Sequence, residues 1–316
     1  MSRVPAPAFS LVAALAWGAM FPIAAHALPH VDAFNLTAIR YLAASVLFVG
    51  LLAVLEGRPA LRYEGRFREL FLLGSLGFAG FNLLTYLGLE HTEPQNAALM
   101  VATMPLVTAL VRWRRDGVRP AAPTLGFMVL ALTGVVLVIT RGNPATLADG
   151  GIGGGEALVL GGVVGWVLYT TGAARFADHS PLRYTTLSAI AGTLTIVAVT
   201  AVADLASWQQ LPAVADVGDA ALPLAYIVVF GAVIAVVAWN AGVKRLGAPN
   251  GALFMNLVPV TTFAIAIAGG TRPGAGELIG AALTIVALIG ANLAGRSGSR
   301  SPVPGVAPAN AVASRG

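Results

Sequence analysis

Arg40 is the one basic residue well inside an apolar run of this chain. Its planar guanidinium suits two-pronged capture of a carboxylate. A charge at such depth costs roughly 2.5 to 3.5 kcal/mol on insertion scales, so it must snorkel outward, tie helix carbonyls or meet an anionic substrate group. Side chains fit for stacking and hydrogen bonding recur at similar depth: Trp17, Trp166 and Trp239, Tyr86 and Tyr169, Asn82, Asn240 and Asn256, with Thr85 and Thr170. An amide in hydrocarbon is costly unless paired, so each must face a neighbouring helix or water. As a set they describe a substrate cavity. A wall so nearly free of charge suits a small neutral or zwitterionic molecule with an apolar or aromatic part better than a multiply charged phosphate. Pro105 and Pro259 fall inside apolar runs, where proline frees a carbonyl about one turn earlier; they are expected as paired hinges or cavity walls.

Enzyme chemistry finds little support. There are 0 cysteines, no His-Glu-x-x-His, no Gly-x-Ser-x-Gly, no paired intramembrane aspartates and no acidic metal cluster, and no cofactor is expected. His26, His30, His91 and His179 all fall near helix ends. Glu156 and Glu277 sit at expected helix starts, where capping suits a carboxylate; proton relay through Glu156 is the competing expectation. A membrane-embedded lipid-processing enzyme and a non-transporting scaffold are the alternatives to a carrier. A carrier requires that the polar set line one connected cavity open to one side; a scaffold would fill that volume.

What must position these residues is an all-α membrane fold. Residues are 57% hydrophobic and 10% charged, and mean hydropathy is +0.80, values that place most of the chain in lipid. Apolar runs long enough to cross about 30 Å of hydrocarbon fall near 8–28, 34–55, 69–89, 95–112, 122–140, 155–175, 182–203, 221–241, 250–269 and 276–294. The stretch Tyr86–Thr108 recurs at Asn240–Thr262, matching Gly88 with Gly242, Asn96 with Asn250 and Pro105 with Pro259. A second echo pairs Trp17 with Trp166 and His30 with His179. Ten transmembrane helices in two five-helix repeats follow, and an odd number per repeat inverts the second relative to the first. Trp17, Tyr86, Trp166 and Asn240 should then lie near a pseudo-two-fold axis in the membrane plane. Gly161 with Gly165 and Gly276 with Gly280 are spaced for close helix contacts.

Charge orients the bundle. Loops after even-numbered helices carry Arg58, Arg62, Arg66, Arg68, Arg112, Arg114, Arg115, Arg119, Arg175, Arg183, Lys244 and Arg245, against Arg141 and Arg272 on the other side. The basic loops and both termini should therefore be cytoplasmic. The net charge of +5 is thus a topology signal and not a nucleic-acid signal. Arg3, an apolar run and Ala25-His26-Ala27 could also be read as a secretory leader, but Trp17 belongs to the repeat, so the segment reads as the first span. Expected organisation is 1–141 for the first repeat, 142–155 for a glycine-rich linker, 156–294 for the second repeat and 295–316 for a disordered tail.

Ala16-Trp17-Gly18-Ala19-Met20-Phe21, Ile39-Arg40-Tyr41, Tyr86-Leu87-Gly88-Leu89 with Met104-Pro105-Leu106, and Leu246-Gly247-Ala248-Pro249 with Leu257-Val258-Pro259-Val260 together resemble the EamA-type carriers of the drug/metabolite transporter superfamily. The resemblance covers about Leu11 to Leu293. Met20 stands where many relatives carry Asn, and Gly270-Thr271-Arg272 replaces a Gly-Glu-Arg. The resemblance implies a secondary transporter working by alternating access on a small metabolite, and eighteen arginines against the single Lys244 point to a bacterial genome and so to a bacterial inner membrane. An amino acid or a relative is favoured, moved outward, among family substrates that also include nucleotide conjugates and drugs. Its partners would be substrate and lipid, with a homodimer left open.

Overall fold

A computed structural model describes residues 5–143, 153–209, 211–247, 250–251 and 253–298; the expected linker and tail lie largely outside them. Seven helices are long and apolar enough to cross a bilayer, and the shorter apolar helices Ala122–Val138, Phe254–Ala268 and Ala275–Ala291 bring the spans to the ten expected. In chain order we number them α1 (Ala6–Ala27), α2 (Ala33–Leu55), α3 (Phe67–Leu89), α4 (Pro94–Asp116) and α5 (Ala122–Ile139). The second repeat supplies α6 (Gly154–Gly172), α7 (Pro181–Leu205), α8 (Ala221–Leu246), α9 (Leu257–Ala268) and α10 (Ala275–Gly298). Helix α6 starts inside the expected linker, and α10 continues past the expected end of the second repeat at 294. Two short helices, Arg58–Leu61 and Val214–Asp219, lie outside the spans and carry no periodic signal that the sequence could show.

The duplication is visible in the backbone. Helix α3 widens into π-helical turns over Ser75–Gly80, and α8 does so at the matching Ile227–Ile234. Such turns leave carbonyls with altered partners and mark functional segments. Helix α4 breaks at Thr103, and α9 follows a tight helical turn at Leu253–Asn256. Pro105 is the second residue of the half-helix after its break, and Pro259 the third residue of α9. Neither is the mid-helix proline the sequence suggested. In the first turn the missing N–H has no intrahelical partner to lose, so proline there fixes where the new half begins.

The main helix pairs join the repeats: α1 with α8, α2 with α7, α3 with α6 and α5 with α10. The close contacts obey the same two-fold. A Cβ on Gly77 would fall 2.5 Å from Tyr169, and one on the matching Gly231 would fall 2.8 Å from Met20, the residue corresponding to Tyr169. In the α5–α10 pair a Cβ on Gly134 would meet the Gly280 carbonyl at 2.6 Å, while Thr284 Oγ1 donates to Ala131 O at 3.3 Å. In α6 the tight glycines are Gly155, Gly162, Gly165 and Gly172; Gly161, expected to serve, only reaches Leu84 at 3.4 Å. Gly134→Ala should therefore cost about 1–3 kcal/mol through overpacking, lowering the thermal midpoint in detergent. Gly161→Ala should leave it unchanged, and equal effects of the two would contradict this packing.

Loop charges sort onto two faces. On one, Arg66 pairs with Asp178 at 3.2 Å and Arg183 with Glu64 at 2.7 Å, and Lys244 Nζ donates to Ala177 O at 3.3 Å and His179 O at 2.7 Å. We call this the basic face. On the other, Arg141 pairs with Glu93, and Glu90 accepts from Ala33 N at 3.2 Å.

Candidate functional site

At the centre the first helices of the two repeats meet through tryptophan. Trp17 of α1 and Trp166 of α6 stand edge to face with centroids 5.5 Å apart, and Trp239 lies 5.6 Å from Trp17. Trp17 Nε1 donates to Gly231 O at 2.9 Å, a carbonyl in the widened turns of α8. Phe78 and Phe81 of α3 flank Trp166 at 6.1 and 5.3 Å, and Tyr169 lies 5.1 Å from it. Both tryptophans are buried, so neither faces lipid. Such edge-on aromatic pairs add about 0.5–1.5 kcal/mol each beyond their burial.

One polar cluster belongs to the first repeat. Arg40 is 1% exposed, and its Nη1 donates to Asn82 Oδ1 at 2.7 Å and to Tyr86 Oη at 2.8 Å. Its guanidinium also lies 4.9 Å from the Tyr41 ring centre, and Asn82 Nδ2 donates to Tyr41 Oη at 3.0 Å and Phe78 O at 2.8 Å. Burial overturns snorkelling, and the partners are side chains of α3 rather than helix carbonyls. Among the described residues no carboxylate pairs with Arg40, and its Nε, with Thr85 Oγ1 and Trp166 Nε1, has no hydrogen-bond partner. A buried charge held only by neutral groups is poorly compensated.

The second repeat carries a neutral counterpart. Asn240 Nδ2, at the position matching Tyr86, donates to Tyr169 Oη at 2.9 Å and Thr185 Oγ1 at 2.6 Å. Trp239 Nε1 reaches Thr170 Oγ1 at 3.4 Å, and Tyr184 stacks on Tyr169 at 5.0 Å while donating to its carbonyl at 2.8 Å. Beside this cluster a cavity of about 410 Å³ lies among the basic-face ends of α6, α7 and α8, lined by Thr170, Phe176, His179, Tyr184, Asn240 and Lys244 among others. Of the polar set, Thr170 and Asn240 line this cavity. Trp17, Trp166 and Trp239 pack against one another, and Arg40, Asn82 and Tyr86 are buried as well.

Asn256 is buried at 4% exposure between the tight turn and α9, and neither amide atom has a partner; no hydrogen bond joins it to either cluster. Glu156 accepts from Thr92 Oγ1 and from Asn96 Nδ2 at 3.3 Å, which makes it a tie between repeats instead of a helix cap. Glu277 accepts from Gly274 N at 2.6 Å and does cap α10.

Sequence reasoning passed over His179. It is 2% exposed, lines the cavity, and neither ring nitrogen has a hydrogen-bond partner; Asp178 Oδ2 is 3.6 Å from Nε2, too far for one. Burial, then the positive Arg183, holds its pKa below the usual imidazole value. The other histidines, His26, His30 and His91, are exposed, including the His30 that echoes it. No sequence signal separates the two.

Two repeats with matched helix breaks and a cavity beside buried aromatic and amide groups are an arrangement that suits a membrane carrier, and the comparison with known families decides the class. The EamA-like transporter family model matches residues 5–140 and 153–293, and the chain belongs to that family. It is a multi-pass membrane transporter. It is 33% identical over 283 residues to the "Uncharacterized transporter YrdR" of Bacillus subtilis (strain 168), covering 88% of each chain. It is likewise 33% identical over 279 residues to YyaM of the same strain, covering 87% of this chain and 89% of that one. A crystal structure at 21% identity, covering 94% of this chain and 99% of its own, superposes with a TM-score of 0.67, which speaks for the fold.

Proposed function

We propose that this transporter moves a small carboxylated metabolite with an apolar or aromatic part, an amino acid or a near relative, across a bacterial cytoplasmic membrane by alternating access. The observation that carries this is Arg40, a fully buried guanidinium with an unspent Nε–H and, among the described residues, no carboxylate of its own. A substrate carboxylate arriving there would supply the missing counter-charge, and the aromatic surfaces of Trp17, Trp166 and Trp239 would hold its apolar part. Asn82 and Tyr86 hold the guanidinium in place. Asn240 receives substrate from the cavity on the basic face, which we place in the cytoplasm by its arginines. Pro105 and Pro259 set the breaks about which the half-helices of α4 and α9 turn, and Asn256 offers its unpaired amide at one of them. Export is the direction expected from the family resemblance.

Purified protein in liposomes, loaded in turn with radiolabelled amino acids, is expected to release at least one aromatic or branched-chain amino acid well above protein-free vesicles. Flux of sugar phosphates with no amino-acid flux would overturn the assignment.

A further inference from the structure

The cavity on the basic face has a chemistry of its own. Nearly every polar side chain on its wall is already engaged. Thr170 receives Trp239, Ser180 Oγ donates to Glu56, Tyr184 donates to Tyr169 O, and Asn240 Nδ2 donates to Tyr169 and Thr185. Lys244 gives two of its three N–H groups to the Ala177 and His179 carbonyls. The His179 ring is the exception, buried with both nitrogens unbonded. A polar ring held in that state is waiting for a partner that enters the cavity.

Charge decides which partner. The groups acting on His179 are Asp178 beside it, Arg66 and Glu64 from the loop before α3, and Arg183 from α7, with Lys244 of α8 bonded to its carbonyl. Arg66 is paired with Asp178 and Arg183 with Glu64, whereas Lys244 bonds carbonyl oxygens and, among the described residues, no carboxylate. Glu56 accepts the Ser180 hydroxyl on the same wall, but the charges that act on the ring are led by Arg183, and with Lys244 on the His179 carbonyl the field at the ring is left positive, which favours an anion and disfavours an amine. The volume of about 410 Å³ suits a small organic molecule.

We propose that His179 is a proton-linked docking residue for the carboxylate of a small organic acid or amino acid, at a site distinct from Arg40 and nearer the basic face. With the cavity empty the imidazole is neutral; when a carboxylate enters, the ring takes one proton from solvent and binds the anion as imidazolium. Each carboxylate thus docks together with one proton, held on the ring; when the anion moves on toward Arg40 the ring gives that proton back to solvent. This rests on the substrate reading above only in taking the ligand to be carboxylated.

The four histidines make the test direct. Full-length protein labelled with 15N-histidine gives a pair of ring-nitrogen signals from each histidine, assigned by replacing the exposed His26, His30 and His91 one at a time with Gln, and confirmed with His179→Gln. Titrated with phenylacetate, the His179 midpoint is expected to move upward by about one pH unit or more, as an opposite charge at contact distance requires, with the other three unmoved. Phenethylamine should not raise it. No shift with phenylacetate at tens of millimolar, an equal shift with phenethylamine, or a shift with inorganic phosphate alone would each overturn the proposal. Amino-acid flux in liposomes with an unresponsive His179 would sink only this inference, and a responsive His179 without amino-acid flux would sink only the substrate assignment.

Discussion

Arg40→Ala is expected to cut transport of a carboxylated substrate by about 10- to 100-fold while leaving its decarboxylated analogue far less affected. The size follows from losing hydrogen bonds to a charged group in a buried setting, about 1.5–3 kcal/mol. Arg40→Lys keeps the charge but loses the planar fork, so it should fall between wild type and Arg40→Ala. The two variants also separate this role from a purely structural one. Arg40 ties α2 to α3 through Asn82 and Tyr86, so if that tie were its whole purpose, both substitutions would lower the melting temperature and slow every substrate alike. Paired flux and melting measurements on the same preparations distinguish the outcomes, and uniform slowing would remove Arg40 from the substrate site.

The second large effect is expected at the seam opposite the cavity. There Glu90, just past α3, accepts from Ala33 N at the start of α2. Lys244 occupies the matching place in the second repeat and donates to the carbonyls before α7. On the alternating-access reading proposed above, the Ala33–Glu90 seam is expected to part when the other face closes. With 0 cysteines in the chain, Ala33→Cys with Glu90→Cys can be joined by a short cleavable bifunctional thiol reagent without background reaction. Joining should reduce flux more than tenfold, and cleaving the reagent should restore it. Undiminished flux in the joined protein would show that this seam does not open.

The spans were legible because lipid imposes a length and a composition on every one of them, and the duplication was legible because matched motifs kept their spacing. Ten helices, their inversion and the pairing of Trp17 with Trp166 could all be read in advance. What escaped was set by contacts distant in sequence. Pro105 and Pro259 announced irregular helices, but only the fold shows the breaks before them. Arg40 was recognisable as exceptional, yet its burial depends on α3 closing over it. His30 and His179 hold echoing positions, and one is exposed while the other is sealed into a cavity wall, a difference that lies in the neighbours and not in the residue.

The exchange of helix partners between repeats bears on how the protein is made. As synthesis proceeds, α1, α2, α3 and α5 enter the membrane before α8, α7, α6 and α10, their principal neighbours, exist. The Arg40 cluster can close at this stage, since Asn82 and Tyr86 belong to the same half. The glycine surface around Gly134 cannot, because its mate is Gly280. The newborn first half is thus an inserted but unassembled intermediate, with polar backbone and small-residue grooves open to lipid until the later helices arrive. A ribosome stalled in the second repeat would leave a product with those grooves permanently open, which is the kind of surface that membrane proteases and chaperones inspect.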